Sequence, residues 1–207
     1  MITLQHITTS ARMEEYHRFR HRIYRNSVQA GFLSDESGVD RDAYDANAIH
    51  LGWYAGEELR GCVRFIRPIS GPQPLYCLTH MPVEAARQVC TLMSSYLEQG
   101  LPFVEVSRIC IDPAYRDLAT VKEFTLTIMA MSHVLGLDQA VFTCLRPHMP
   151  FWRRMGFSIL GGAEGFSCTR SLERSYAMMY RHAELPLAIR EQLPTREDRI
   201  RNMEKAA

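Results

Sequence analysis

The run Phe103-Val104-Glu105-Val106-Ser107-Arg108-Ile109-Cys110-Ile111-Asp112 constrains this chain more than any other segment. Phe103, Val104, Val106, Ile109 and Ile111 are apolar at the density of a fully buried strand. Yet the middle of that strand carries Glu105, Ser107 and Arg108. Strict alternation sends Glu105 and Ser107 to one face and Arg108 to the other. A charge in a buried strand is strongly unfavourable unless it is paired, so these residues require partners. The polar cluster Asp40-Arg41-Asp42-Ala43-Tyr44-Asp45 can supply them, and the two clusters together outline a candidate active site.

At 207 residues the chain suits one well-cored α/β domain and is short for two. A formal net charge of +1 predicts no nucleic-acid partner. The six cysteines (Cys62, Cys77, Cys90, Cys110, Cys144 and Cys168) form no C-x-x-C pair and sit in apolar runs, as reduced core residues do. Met1 to His6 lacks the basic and apolar stretches of a signal peptide, and no apolar run reaches membrane-spanning length. The expected location is the cytoplasm, without membrane insertion.

Periodicity predicts a strand over 2–7, then a helix capped by Ser10 that continues to about Ala30. A loop over 31–46 follows, then a hairpin of strands 48–54 and 59–66 turning at Gly56-Glu57-Glu58. Residues 68–74 read as a loop. Pro82 opens a helix over 83–97 that Gly100 closes, and the strand described above follows. A helix over 118–135, a buried strand over 140–145, a short helix over 150–155 and a late hairpin reaching Tyr180 complete the pattern. The expected fold class is α/β (α+β), with a central mixed twisted sheet flanked by helices. A single domain over 1–182 and a charged tail over 183–207, helical or loosely ordered, are the expected organisation.

Four motifs occur in order: Arg20-x-x-Ile23-Tyr24, Asp40-x-Asp42-x-Tyr44-Asp45, Gly61-Cys62-Val63-Arg64 and Glu105-x-Ser107-Arg108. This arrangement resembles the acyl-homoserine-lactone synthases and the related long-chain N-acyl amino acid synthases, both of the GNAT-like acyltransferase fold. The resemblance spans roughly residues 1–180. It implies that Glu105 is the general base toward an acceptor α-amine attacking an acyl thioester, with Ser107 and Arg108 completing the catalytic strand. It implies an acceptor site drawn from Arg20, Tyr24, Phe32, Asp40, Asp42, Asp45 and Arg64. A carboxylate there can hold an ammonium and an arginine can hold a carboxylate. A backbone N–H would meet the tetrahedral oxyanion, with no covalent acyl-enzyme. The plainer account of the same residues is a structural ion network fixing the 31–47 loop, and Arg64 and Asp45 suit that role best.

Coenzyme A-dependent members of this fold place a glycine-rich R-x-x-G-x-G/A turn after the central strand to cradle pyrophosphate. Here that position reads Tyr115-Arg116-Asp117-Leu118-Ala119-Thr120, without glycine and with an aspartate. The absence favours an acyl carrier protein as donor. Such a protein is acidic, and Arg146, Arg153 and Arg154, with His148, Arg116 and Lys122 near them in type, would form its dock; an ordinary solvated basic face explains them equally. Met129, Phe142, Phe151 and Trp152, with Met131 and Met155, are the candidate acyl pocket, although most such residues are plain core. No cofactor and no metal are expected; His17 and His21 share a helix face but lack a third ligand.

Some residues depart from the lactone-synthase pattern. Ala30-Gly31-Phe32-Leu33, displaced by about two residues, takes the place of the usual Leu-Gly-Trp, Asp40 replaces Glu, and His50 stands where Tyr is frequent. The small-molecule acceptor is therefore S-adenosylmethionine on one reading and a free amino acid on the other. A non-catalytic module that binds acyl groups or the carrier protein is a third. Gly161 to Gly165 reads as a turn, and no G-x-S-x-G nucleophile motif occurs.

Overall fold

The computed structural model describes residues 2–28, 30–33, 37–67, 75–161, 165–168, 170 and 173–206. The expected loop over 68–74, and Gly162 to Glu164 of the glycine-rich turn, lie outside the described residues. The chain forms two compact units, Met1–Ile66 with Val106–Phe124, and Arg67–Glu105 with Thr125–Ala207. Strand β4 (Phe103–Ile111) and helix α3 (Leu118–Val134) each contribute to both. The fold class is α/β, with a mixed and mostly antiparallel sheet.

In the first unit β1 (Ile2–His6), β2 (Ala48–Ala55) and β3 (Glu58–Ile66) form an antiparallel meander. Gly56, at φ +64°, makes the tight turn between β2 and β3. Helix α1 (Ser10–Arg25) is capped by Thr9 rather than Ser10, the Thr9 hydroxyl accepting the N–H of Arg12, and it ends five residues before the expected Ala30. Its buried face holds Tyr16, His17, Phe19, Arg20, His21 and Tyr24, the i, i+3, i+4 pattern with two polar types substituted into it. The segment after it is not a plain loop: it contains 3₁₀ turns at Ala30–Phe32 and Ala43–Asn47. The second is closed by a capping box, in which Asp42 accepts the Tyr44 N–H and Asp45 accepts the Asp42 N–H. The Asp40 N–H donates to the His17 carbonyl, and the His17 ring bonds the Asp40 carbonyl at 2.8 Å, so the loop is docked on α1 by its main chain.

In the second unit Phe103 to Glu105 pairs in parallel with Gln139 to Val141 of β5 (Gln139–Leu145). Strand β5 runs antiparallel to β8 (Arg174–Arg181), which also pairs with the short β6 (Ser158–Ile159) and β7 (Phe166–Ser167). Helices α2 (Val83–Glu98), α3 and α4 (Met149–Arg154) all end on a glycine with positive φ: Gly100, Gly136 and Gly156. Each closes a Schellman turn, with Leu101 bonded to Tyr96, Leu137 to Ser132 and Phe157 to Trp152. The charged tail is helical, as α5 (Leu187–Arg190) and α6 (Pro194–Ala206), and it buries Leu185, Ile189, Leu193 and Ile200.

A Cβ on Gly156 would lie 2.7 Å from Pro186 Cδ and 2.9 Å from Leu185 Cδ2, whereas one on Gly136 would meet nothing within 4 Å. Both glycines have positive φ, worth about 1 kcal/mol or more against alanine. Gly156→Ala is therefore expected to lower unfolding free energy by about 1–3 kcal/mol, and by more than Gly136→Ala. Equal losses in urea titrations would refute the close approach of the tail to this turn. All six cysteines are free, and no helix is long and apolar enough to cross a membrane.

Candidate active site

Arg20 reaches its place because α1 buries the face that carries it, and it is fully buried. Its Nε donates to Asp40 Oδ2 and its Nη1 to Asp45 Oδ1, both at 2.8 Å. Arg64, on β3 and also fully buried, donates through Nη1 to Asp45 Oδ1 at 2.8 Å and to Asp42 Oδ1 at 2.6 Å. Arg108 holds Asp40 with two bonds, Nε to Oδ2 at 2.7 Å and Nη2 to Oδ1 at 3.2 Å, and reaches Asp42 Oδ2 at 3.3 Å. The contacts close on themselves: Arg108, Asp40, Arg20, Asp45, Arg64, Asp42 and back to Arg108. Three cations alternate with three anions in one neutral ring.

The ring corrects the face assignment on β4. Arg64 Nε donates to Ser107 Oγ at 3.0 Å while Arg108 binds the same aspartates as Arg64, so Ser107 and Arg108 converge instead of diverging. The cause is backbone conformation. Among the described residues Arg108 alone, outside glycine, has positive φ, at 52°. A left-handed residue in a strand breaks the two-residue alternation and turns its side chain back. Such a conformation is strained by about 1–3 kcal/mol, and the bonds to Asp40 and Asp42 hold it.

Aromatic residues wall the ring. Tyr24 lies under the Arg108 guanidinium at 5.2 Å, Phe32 packs toward Tyr24 at 6.4 Å, and the Phe32 carbonyl accepts from Arg108. Tyr16, which the motifs did not single out, lies under Arg20 at 5.2 Å and donates to the Val63 carbonyl. His17 and His50 were also missed as neighbours of the ring. Burial lowers the pKa of both, as does nearby Arg20, which keeps them neutral and adds no fourth cation. His50 meets the Asp45 carbonyl at 3.0 Å.

Burial alone would raise the Asp40 and Asp45 carboxyls. The guanidiniums outweigh it, Arg108 and Arg20 on Asp40 and Arg20 and Arg64 on Asp45, and hold both below the ordinary range. A carboxyl depressed on folding stabilises the fold above its unfolded pKa near about 3.9, and that contribution is lost as pH falls through the folded value. The urea midpoint should thus fall steeply below about pH 4, and Asp45→Asn should flatten that fall. An unchanged slope in the variant would contradict the ring.

Glu105 has different partners. It is buried, Oε2 accepts the Tyr76 N–H at 2.5 Å, and Oε1 accepts the Cys77 N–H at 2.8 Å. The carboxylate thus pins the 3₁₀ turn Tyr76–His80, and burial together with its negative charge keeps the Cys77 thiol protonated. Of the expected acyl pocket, Met129 and Phe142 are buried and Phe151 and Trp152 half-buried. Phe142, Phe151 and Trp152, with Phe157, interlock edge to face at 4.5–5.2 Å, as a packed cluster does. A groove of about 450 Å³ lies elsewhere, lined by Leu75, Leu78, Val83, Ala86 and Cys90 among others. Arg146, Arg153 and Arg154 are exposed at the two ends of α4. Asp117 caps α3, accepting the Thr120 N–H at 2.9 Å, while the Arg116 guanidinium is engaged with the Ile111 carbonyl.

In the charge ring each carboxylate is paired with two guanidiniums. Asp42 is the most accessible member, at 18% side-chain exposure against 8% or less for the other five.

Among solved structures the chain is similar to FeeM, an N-acyl amino acid synthase from uncultured soil microbes, at 16% identity and TM-score 0.64, over 91% of this chain and 97% of that one. It is similar to BjaI, a CoA-dependent acyl-homoserine lactone synthase, at 14% identity and TM-score 0.68, over 96% and 90% of the two chains. The acyl-homoserine lactone synthase LasI follows at 15% identity and TM-score 0.62, over 87% and 90%. At such identities the likeness is one of fold. No curated protein matches the chain by sequence. The family described as acetyltransferase (GNAT) domain matches residues 19–125, more than half of the chain and the whole stretch from Arg20 to Arg108. The chain therefore belongs to the GNAT acetyltransferase family and is an acyltransferase.

Proposed function

We propose that this chain moves a fatty acyl group from an acyl carrier protein to the α-amine of S-adenosylmethionine, giving an acyl-homoserine lactone signal. The observation that carries the reading is the closed arginine–aspartate ring anchored by Ser107 and Arg108, two and three residues beyond a buried carboxylate on the same strand. BjaI and LasI, which share the fold, are acyl-homoserine lactone synthases.

In this mechanism the acceptor amine attacks the thioester carbonyl while Glu105 takes its proton, directly or through water. Ser107 accepts from Arg64 and can offer its own O–H to the carbonyl or acyl chain. A main-chain N–H stabilises the tetrahedral oxyanion, which collapses to the amide and expels the carrier thiolate, protonated on release. The carboxylate of the acylated S-adenosylmethionine then attacks its own γ-carbon, breaking the carbon–sulfonium bond, releasing methylthioadenosine and closing the lactone. Asp42, the accessible carboxylate of the ring, is the partner for the acceptor's positive charge.

The donor rests on the start of α3. The Asp117 carboxylate already occupies the helix N-terminus, and its negative charge opposes a pyrophosphate there. Exposed Arg146, Arg153 and Arg154 suit an acidic carrier protein. BjaI is CoA-dependent, so both donors belong in the assay. This chemistry implies a cytoplasmic enzyme without a resident cofactor.

A free amino acid as acceptor is the second reading, supported by Phe32, packed toward Tyr24, in place of the Trp of the lactone-synthase pattern; FeeM is an N-acyl amino acid synthase. Mass spectrometry of lipid extracts from cells overexpressing the chain separates the readings. An acyl-homoserine lactone is expected, and an acyl amino acid would transfer the conclusion to the second acceptor. Neither product, with carrier protein still bound, would favour the non-catalytic module.

A further inference from the structure

The second unit holds a cluster that acyl transfer does not use. His133 stands near the end of α3, His182 follows β8, and Glu197 lies in α6; one ligand atom from each lies within 4.8 Å of the other two. We propose that His133, His182 and Glu197 bind one divalent cation of the zinc class, with a fourth position left for water. Two imidazoles and one carboxylate without thiolate suit zinc, cobalt or nickel better than magnesium or calcium, which take all-oxygen sets.

Three features point to a ligand. His133 Nδ1 meets Asp138 Oδ1 at 2.6 Å, so its N–H donates there and Nε2 is left as a lone-pair donor. A carboxylate behind a histidine is the usual support of a metal ligand. Asp138 also fixes the main chain at the second histidine, its main-chain carbonyl accepting the His182 main-chain N–H at 2.7 Å. His182 Nδ1 is buried without a hydrogen-bond partner among the described residues, an unfavourable state that coordination would relieve. Glu197 is buried, and its ion pair with half-exposed Arg201 is long, at 3.5 Å, so a cation can replace that partner.

The two rings stack at 3.7 Å and 7°. Coordination bonds lie in the ring plane, so the imidazoles must turn out of the stack to aim at one ion. Tetrahedral ligands about 2.1 Å from zinc lie about 3.4 Å apart, a contraction within reach of side-chain rotation. The bound ion would join α3, the exit of β8 and α6, fastening the C-terminal helix.

Zinc titration of the untagged chain by calorimetry, after chelator treatment, tests this. One equivalent is expected, with a rise of about 5–10 °C in the thermal midpoint at a hundredfold excess over Kd. His133→Ala and Glu197→Gln should each weaken binding at least tenfold, His148→Ala should not, and cobalt should give a tetrahedral absorption band. Should Glu197→Gln fail to fold, exposed Asp138→Asn substitutes, with an expected loss of about 10–100-fold. No zinc binding, or undiminished binding in both His133→Ala and Asp138→Asn, overturns the proposal.

Discussion

Asp40→Ala is expected to destabilise the protein by about 3–5 kcal/mol, the largest stability effect of any ring substitution. Asp40 is 1% exposed and partners two guanidiniums, Arg20 through one oxygen and Arg108 through both. Its removal leaves two buried cations short of an anion and releases the bonds that hold Arg108 at positive φ. For a chain of this size the thermal midpoint should fall by roughly 6–20 °C at about 2–4 °C per kcal/mol. Asp42→Ala, at the accessible edge, should cost less. A loss below about 1 kcal/mol for Asp40→Ala would mean that the ring does not organise the unit.

Glu105→Gln is expected to lower turnover by about 10²–10⁴-fold, the range for loss of a general base. The substitution is not silent in the fold. Both carboxylate oxygens accept main-chain N–H groups, and a glutamine amide would present its own N–H₂ to one of them. A stability loss of about 1–3 kcal/mol accompanies it. The two effects separate by measuring rates well below the variant's melting temperature, with circular dichroism reporting the folded fraction. A folded variant with turnover within threefold of the parent would remove Glu105 from the chemistry.

Much of this was legible because local signals agreed. Pro82 and Gly100 bracketed α2, Gly136 closed α3, and the apolar density of 103–111 marked β4. The motifs also named every member of the ring. The closure of the ring was not legible, since its members come from α1, a loop, β3 and β4, up to 88 residues apart. Nor was the turned Arg108, because alternation assumes every strand residue has negative φ and nothing local marks a non-glycine exception. Asp42 and Asp45, three apart, did carry the sequence signature of a capping box, which converts part of the expected loop into a 3₁₀ turn. The tail read as charged because its few apolar residues are widely spaced, yet four of them are buried. His133 and His182 lie 49 residues apart, beyond any ligand spacing readable along the chain.

The central claim is acyl transfer from a carrier-protein thioester to an α-amine. Its most direct test incubates the purified chain with acyl-carrier protein and S-adenosylmethionine, and with acyl-CoA in parallel, following free thiol and product mass together. The account predicts an acylated amine formed in step with thiol release, faster from the carrier protein and slowed about 10²–10⁴-fold by Glu105→Gln. A chain that binds the carrier protein but consumes no acyl thioester with S-adenosylmethionine or any amino acid would contradict it.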